Sequence, residues 1–582
     1  PRNTSDNDFD ARKVLNMVIP SSARPGAIEN GFPMIATTGF SALGDRVGGS
    51  PLLQPDDNYQ LSGAITHLRG SHKIKAGVEF RKTRSVRFRS QDNNGTLNFL
   101  PGNVAGSGHA FADFLLGLPF SSIINLTPMT VDLLQKQAHF YVADDWAVNK
   151  RLTVNVGVRY EFNTPVNEPY GRIPYINLTA PGSVEVQKPG AGLYATDYNN
   201  FAPRIGIAYR PKDRTVIRAG YGVFFSESSW LHLTNHVLNP PFFVRQNFFS
   251  SRELVLQAQN PFPIGQEAAG GLPAPVAYDR DRRTSYVQTW SFNVQRDLGA
   301  DIVAEVGYVG NHAVKMARNV QLNIPLPGPG NIQSRRPLQN FGPVSTAIRN
   351  DATSSYNGLQ TRLEKRFSSG LSLLGAYTFM RALDLSGNEQ EGSTIDPRDL
   401  NRDRALSDNF VKHRLSVSYV YELPIGAGKA FLSRKGLVDQ VLGGWQLSGV
   451  TTYQSGPPFT ASVAGDRANV GLGTRPNRTC DGNISGGTVD RWFDTNCFAA
   501  PDQFTFGNSG RNILIGQSMT TWDVAIMKRF PVIERHYLQV RAEMFNAFNK
   551  VNLGVPGGTV GTPAFGRITS ADNARSIQFG LK

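Results

Sequence analysis

The chain has 582 residues, a net charge of +14 and 18% charged residues, against about 25% in ordinary soluble domains, and glycine and proline together fill about a sixth of it. Its 35 Phe, 18 Tyr and 6 Trp are too many for a disordered chain, and its 2 cysteines exclude a disulfide-dense scaffold and a cysteine-rich zinc site. No stretch supplies the about 20 apolar residues of a membrane-spanning helix, since the best one, residues 114–131, is broken by Pro119, Pro128 and several polar residues.

Short segments of period two recur along the whole chain. In the first clear one, Ile74, Ala76, Val78 and Phe80 alternate with Lys73, Lys75, Glu79 and Arg81. Next, Leu152, Val154, Val156, Val158, Tyr160 and Phe162 alternate with Thr153, Asn155, Gly157, Arg159 and Glu161. Leu415, Val417, Tyr419 and Tyr421 follow against Arg414, Ser416, Ser418 and Glu422, and Leu538, Val540, Ala542 and Met544 against Gln539, Arg541 and Glu543. Successive strand side chains point to opposite faces, so each segment reads as a strand between an apolar and a polar medium. Such segments fall near 58–68, 72–88, 136–146, 151–162, 203–210, 215–224, 286–296, 301–309, 356–367, 371–381, 413–422, 445–455, 520–530, 537–548 and 574–581, about 15 in all.

The connections alternate between short and long. Short ones fall at 69–71, 147–150, 211–214, 297–300, 368–370 and 531–536, with one longer exception at 423–444. Between them run connections far above the median of about 4–6 residues for compact domains. This predicts an all-β fold: an antiparallel transmembrane β-barrel with short periplasmic turns and long extracellular loops. Because the last segment runs towards the periplasm, as does the first, the count is odd, and the barrel is expected to be partial. Sandwiches and propellers share the short strands but not the regular alternation of loop lengths.

FYVADDWAVNKRLTVNVGVRYEFNTP (140–165), WFDTNCFAAPDQFTFGNSGRNILIG (492–516), VRAEMFNAFNKVNLG (540–554) and FGRITSADNARSIQFGLK (565–582) resemble the C-terminal part of TonB-dependent outer-membrane receptors of the Oar-like subgroup. That resemblance implies a barrel of about 22 strands, so about seven lie upstream of the 15 read here. It also implies a plug, a TonB box and a carboxypeptidase-regulatory-like domain, none of which is recognisable in 1–582. The whole chain is therefore read as one N-terminally truncated barrel domain that starts at Pro1 without an export signal. It stops at Lys582 where the family usually ends on an aromatic residue.

Candidate site residues follow from the faces. Arg159, Glu161, Arg362, Glu364, Arg541 and Glu543 are expected to line the lumen. Val154, Val156, Val158, Leu415, Val417, Leu538 and Val540 are expected to face lipid. Trp146, Trp445 and Trp522, with Tyr141, Phe367 and Phe530, are expected to form the aromatic girdle at headgroup level. Cys480 and Cys497 lie in one long connection and are candidates for a disulfide; two unpaired thiols are the other reading.

No motif points to an enzyme, a cofactor or a metal. Gly426 to Lys429 mimics part of a phosphate loop but lacks its first glycine and its Ser or Thr. His232 and His236 lack the glutamate of a zinc helix, and Asp6 to Asp10 lacks the glycine and closing glutamate of a calcium loop. The basic run at 73–89 alternates with apolar residues, as a lumen face does, which argues against nucleic acid. Expected partners are outer-membrane lipid and lipopolysaccharide, an unidentified small solute, and the TonB energy-coupling complex through an absent N-terminal part. Expected function is energised uptake of a scarce solute of siderophore, vitamin, oligosaccharide or peptide class at the cell outer membrane of a Gram-negative-type bacterium. The alternative is a structural, adhesive or secretion-related barrel without active import.

Overall fold

The computed structural model describes residues 11–20, 31–44, 55–89, 92, 94–127, 129–226, 238–266, 272–386, 395–433, 436–533 and 536–582. Among them, fifteen long strands build one wall. In chain order they are β1 (Asp56–Arg69), β2 (His72–Arg89), β3 (Met129–Asn149), β4 (Leu152–Asn163), β5 (Phe201–Lys212), β6 (Thr215–Ser226), β7 (Ser285–Gly299) and β8 (Ile302–Gln321). They continue as β9 (Ser345–Ser368), β10 (Leu371–Asp384), β11 (His413–Glu422), β12 (Trp445–Gln454), β13 (Met519–Ile533), β14 (His536–Phe545) and β15 (Ser576–Leu581). Each pairs antiparallel with the next in sequence, so the wall is an up-and-down barrel sheet. All fifteen segments read from periodicity are strands of this wall.

Two-residue turns close the hairpins at one rim, except between β11 and β12, where the connection 423–444 is long. Arg69 pairs with His72 around Gly70, whose φ of 58° no β-branched residue would adopt easily. At the β7–β8 turn Ala300 and Asp301 both take positive φ, 51° and 60°, the backbone sense that matches the right-handed twist of a hairpin. Among the described ladders, β1 bonds β2 alone and β15 bonds β14 alone, and all 14 residues of β1 are exposed.

Register places the apolar faces in one band. Val154, Val156 and Val158 pair with Ile207, Ile205 and Pro203 of β5, and Val158 pairs with Val142 of β3. Leu415 and Val417 pair with Tyr453 and Thr451, and Leu538 and Val540 with Phe530 and Lys528. Val156 and Ile205 stay about half exposed on this band, because no protein layer covers it. A β-branched-rich surface left bare in this way needs an apolar solvent.

Three strands are much longer than their period-two signal. That signal ends at 136, 309 and 356 on the outer side, yet β3 has 21 residues, β8 has 20 and β9 has 24. About 9–11 residues suffice to cross a bilayer, so the excess stands beyond the long-loop rim. There loops cover both faces, as at the buried neighbours Val131 and Asp132 on opposite faces of β3, and the lipid-driven alternation ends. Register shifts between Ala313 and Val320 break the regular ladder of the β8 overhang.

The buried apolar clusters lie at this same end. Strand Met34–Thr37 pairs parallel with Thr96–Phe99, and Ser121–Asn125 and Arg245–Phe249 complete a four-stranded sheet. Leu97, Phe99, Ile124, Phe248 and Phe262 form its core, joined by Ala11 of helix α1 (Ala11–Val14), with Phe114 of helix α2 (Ala110–Leu116) packed against it. Val131, Val166, Leu193 and Tyr278 make a second core, and Phe459, Phe493, Phe498 and Leu514 a third. The long connections, expected as polar loops, are thus folded into a roof.

If the bare band meets hydrocarbon, Val156→Arg or Val417→Arg should each cost about 2–4 kcal/mol and block assembly, whereas Asn155→Arg or Ser416→Arg should assemble normally. Heat-modifiable migration on gels measures this. Equal assembly of all four variants would refute the two-sided wall.

Candidate functional site

The face opposite the apolar band carries the polar side chains. Glu79 of β2, His139 of β3 and Glu161 of β4 share one row by register. Arg159 is its hub. Its Nε donates to Glu161 Oε1 at 2.9 Å, and its Nη2 donates to Glu79 Oε2 at 3.3 Å and to His139 Nδ1 at 2.6 Å. Arg81 Nη2 donates to Glu79 Oε1 at 2.7 Å. Guanidinium nitrogens only donate, so His139 Nδ1 must accept, which leaves Nε2–H to donate to Asn163 Oδ1 at 3.0 Å. The imidazole is neutral in this arrangement, and two arginines balance two glutamates.

The other lumen candidates pair the same way. Arg362 Nη2 lies 2.8 Å from Glu364 Oε2, and Arg541 Nη1 lies 3.6 Å from Glu543 Oε1. Residues i and i+2 share a strand face, so each is a local ion pair. Among the described residues no contact joins the three pairs into one pocket. Sequence reasoning put Glu79 and Arg81 on the polar face but did not single them out, and it missed His139, whose role depends on strand pairing.

Tyr141 departs from the girdle expectation. It stands in register with Gly77 and Arg159 on the polar face, and its ring fills the place a side chain at Gly77 would need. Lys75 Nζ sits 5.9 Å from that ring. Phe367 stands near the short-turn end of β9 and Phe530 near that of β13. Trp146 and Trp445 also stand at the short-turn rim, Trp146 stacked on His72 with 5.3 Å between ring centroids. Trp522 stands near the opposite rim, edge-on to Phe548.

Above the bore, buried arginines tie the roof together. Arg475 donates from Nη2 to Asp403 Oδ1 at 2.5 Å and from Nη1 to Arg402 O at 2.7 Å. Arg511 bonds the Asp384 carboxylate at the end of β10, Asp408 Oδ1 at 3.1 Å and Asp403 O at 3.1 Å. These contacts lock the 455–518 connection onto the 385–412 connection. Burial pushes the Asp403 carboxyl up and the Arg475 guanidinium down, and their mutual attraction opposes both shifts. Burial likewise raises the Tyr278 phenol, which sits in the second loop core and accepts from Gln187 Nε2 at 2.6 Å.

Cys480 and Cys497 are joined by a disulfide within this roof. Cys497 is buried among Phe493, Phe498 and Leu514, and Trp492 Nε1 donates to Ile515 O at 2.8 Å. The Asp494 carboxylate accepts from Asn496 N at the start of the turn Thr495–Cys497. The Arg491 guanidinium and that N–H hold it below the usual carboxylate range. Residues 426–429 form a tight turn, with Lys429 N donating to Gly426 O. His232, His236 and Asp6 to Asp10 lie outside the described residues. Among the described residues no cluster of ligating side chains could hold a metal ion.

Over residues 2–578 the chain matches the family model described as outer membrane beta barrel domain, and it belongs to that family. It is a protein of the outer membrane, with the short turns on the periplasmic side and the long connections outside. Similar solved structures include the outer membrane transporter YddB from Escherichia coli, with a TM-score of 0.50 and 11% identity, covering 91% of this chain and 54% of that one. The ferric yersiniabactin uptake receptor FyuA from Yersinia pestis has a TM-score of 0.43 and 10% identity, covering 91% and 53%. The chain thus spans about half the length of these structures, and the likeness to the Escherichia coli transporter is one of fold. No curated protein matches it by sequence.

Replacing Arg475 by Met strands a buried carboxylate whose Oδ2 already lacks a partner. The roof should lose about 3–5 kcal/mol, as when one half of a buried ion pair is removed. Limited proteolysis should then cut between 385 and 518 faster, with the heat-modifiable migration of the wall unchanged. Cys480→Ser with Cys497→Ser should relax a closed loop worth about 3 kcal/mol. Hydrogen exchange should rise at 480–497 and stay constant in β1 to β15.

Proposed function

We propose that this chain is the barrel of a TonB-dependent outer-membrane receptor of the Oar-like type its sequence resembles. Its work is energised uptake of a scarce solute of siderophore, vitamin, oligosaccharide or peptide class. The observation that carries this reading is a charged bore lying under external loops that are folded and latched to one another. An open diffusion pore has no use for such a roof, whereas a receptor needs a shaped, pre-organised surface to capture a dilute ligand.

The free edges of β1 and β15 support a larger barrel. An unpaired strand edge in hydrocarbon leaves backbone groups without partners, so the seam calls for further strands. About seven would bring fifteen to the about 22 of the transporter class, and a plug carrying a TonB box would fill the bore. The lumen charges Arg159, Glu161, Arg362, Glu364, Arg541 and Glu543 then act as a lining that exchanges ion-pair partners with a plug or a passing solute. External lipopolysaccharide and lipid surround the wall.

A strain lacking the gene should lose uptake of the solute and regain it with the complete reading frame. Collapse of the proton-motive force by a protonophore should abolish that uptake. Import that survives the collapse, or a deletion that impairs only attachment or secretion, would overturn the reading in favour of a structural, adhesive or secretory barrel.

A further inference from the structure

The long exception on the periplasmic rim is the connection 423–444, which carries helix α3 (Leu437–Leu442). It is a built element. Asp439 Oδ1 accepts from Ala427 N at 2.6 Å, and Gly426 and Phe431 bond across the turn.

Two side chains of the wall hold α3. Trp445 Nε1 donates to Val441 O at 3.0 Å, and the Lys528 ammonium donates to Gln440 O. Trp445 and Lys528 face each other in register across β12 and β13. Their row continues through Leu447 and Ile526, and Lys528 pairs onward with Val540 of β14. That row is the apolar band, so α3 lies against the outside of the wall and not beneath the bore.

Lys528 is a cation on the apolar face, as are Arg296 and Lys365 near the same rim, where Asp144 meets His72, and it is only 2% exposed. Its Nζ lies 4.9 Å from the Phe530 ring and 5.5 Å from the Trp445 ring. The carbonyls it and Trp445 bond are the last of α3, at the negative end of the helix dipole. With the cation covered, α3 turns Leu437 outward at 80% exposed and Val441 at 62%, flanked by Val438, Leu442, Phe431 and Leu432.

We propose that α3 is an interfacial anchor seated in the periplasmic leaflet of the outer membrane, its occupant being phospholipid. This rests on the reading that the apolar band touches lipid. Continuity with that band selects the leaflet, and Trp445 with Lys528 marks headgroup depth, where aromatic rings and long cations collect. A helix so placed immerses its apolar side about 5–10 Å into the boundary of headgroups and acyl chains.

The test uses the full chain with its disulfide intact, reconstituted in vesicles of phosphatidylethanolamine and phosphatidylglycerol. An environment-sensitive fluorophore is attached singly at Leu437→Cys, Val417→Cys or Ser416→Cys, and lipids spin-labelled near the headgroup or deep in the acyl chain serve as quenchers. The shallow quencher should lower the signal at 437 about twofold, as the immersion depth of an interfacial helix requires, with less effect from the deep one. The signal at 417 should fall with the deep quencher, and 416 should respond to neither. Quenching at 417 without quenching at 437 overturns the anchor and keeps the lipid-facing wall, leaving α3 to water or a periplasmic protein. Quenching at 437 alone keeps the anchor and overturns the wall reading. Quenching at neither overturns both.

Discussion

A backbone N–H or C=O in hydrocarbon has no partner except another strand, and this constraint organises the molecule. It demands unbroken antiparallel ladders, which run from β1 to β15 through hairpins that, apart from the 423–444 connection, turn in two residues on the periplasmic side. It also decides where side chains go. With backbone groups satisfied edge to edge, one face of each strand is free to meet lipid, and Val154, Val156 and Val158 align with Ile207, Ile205 and Pro203 of β5 to make that face continuous.

The same constraint moves the protein's own core away from the wall. Lipid takes the place of a second protein layer around the barrel, so cores form where the chain returns to water, in the long connections. Their stability comes from ordinary burial of Phe99, Phe248, Phe493 and their neighbours, strengthened by the disulfide between Cys480 and Cys497. The arginine contacts of Arg475 and Arg511 join separate connections, and that joining turns loops into a roof over the bore.

Charges are handled in three ways that follow from local solvent. In the bore, Arg159 and Arg81 meet Glu79 and Glu161 at hydrogen-bond distance and leave the cluster neutral. In the roof, Arg475 and Asp403 are dry and owe their permanence to geometry, because either alone would be costly. On the apolar face Lys528 is covered by two aromatic rings and a helix carbonyl, with the Asp439 carboxylate of α3 attracting it from the same helix.

Periodicity in the sequence was enough to locate every wall strand and both faces, because a bilayer imposes polarity on one side of a strand and apolarity on the other at every second residue. It was silent on the outer halves of β3, β8 and β9 and on the roof cores, because there both faces meet water or folded loop, and on α3, whose six residues are too few to show a helical period. Tyr141 shows the limit most clearly. Its residue type suits a membrane interface, yet pairing with Gly77 and Arg159 turns it into the bore. Strand identity and the split of each strand into an apolar and a polar face are properties of neighbours in the chain, and the amino-acid sequence determined them alone. Which arginine meets which glutamate, and which loops join one another, depend on residues as much as 158 positions apart, and only the tertiary structure decided them.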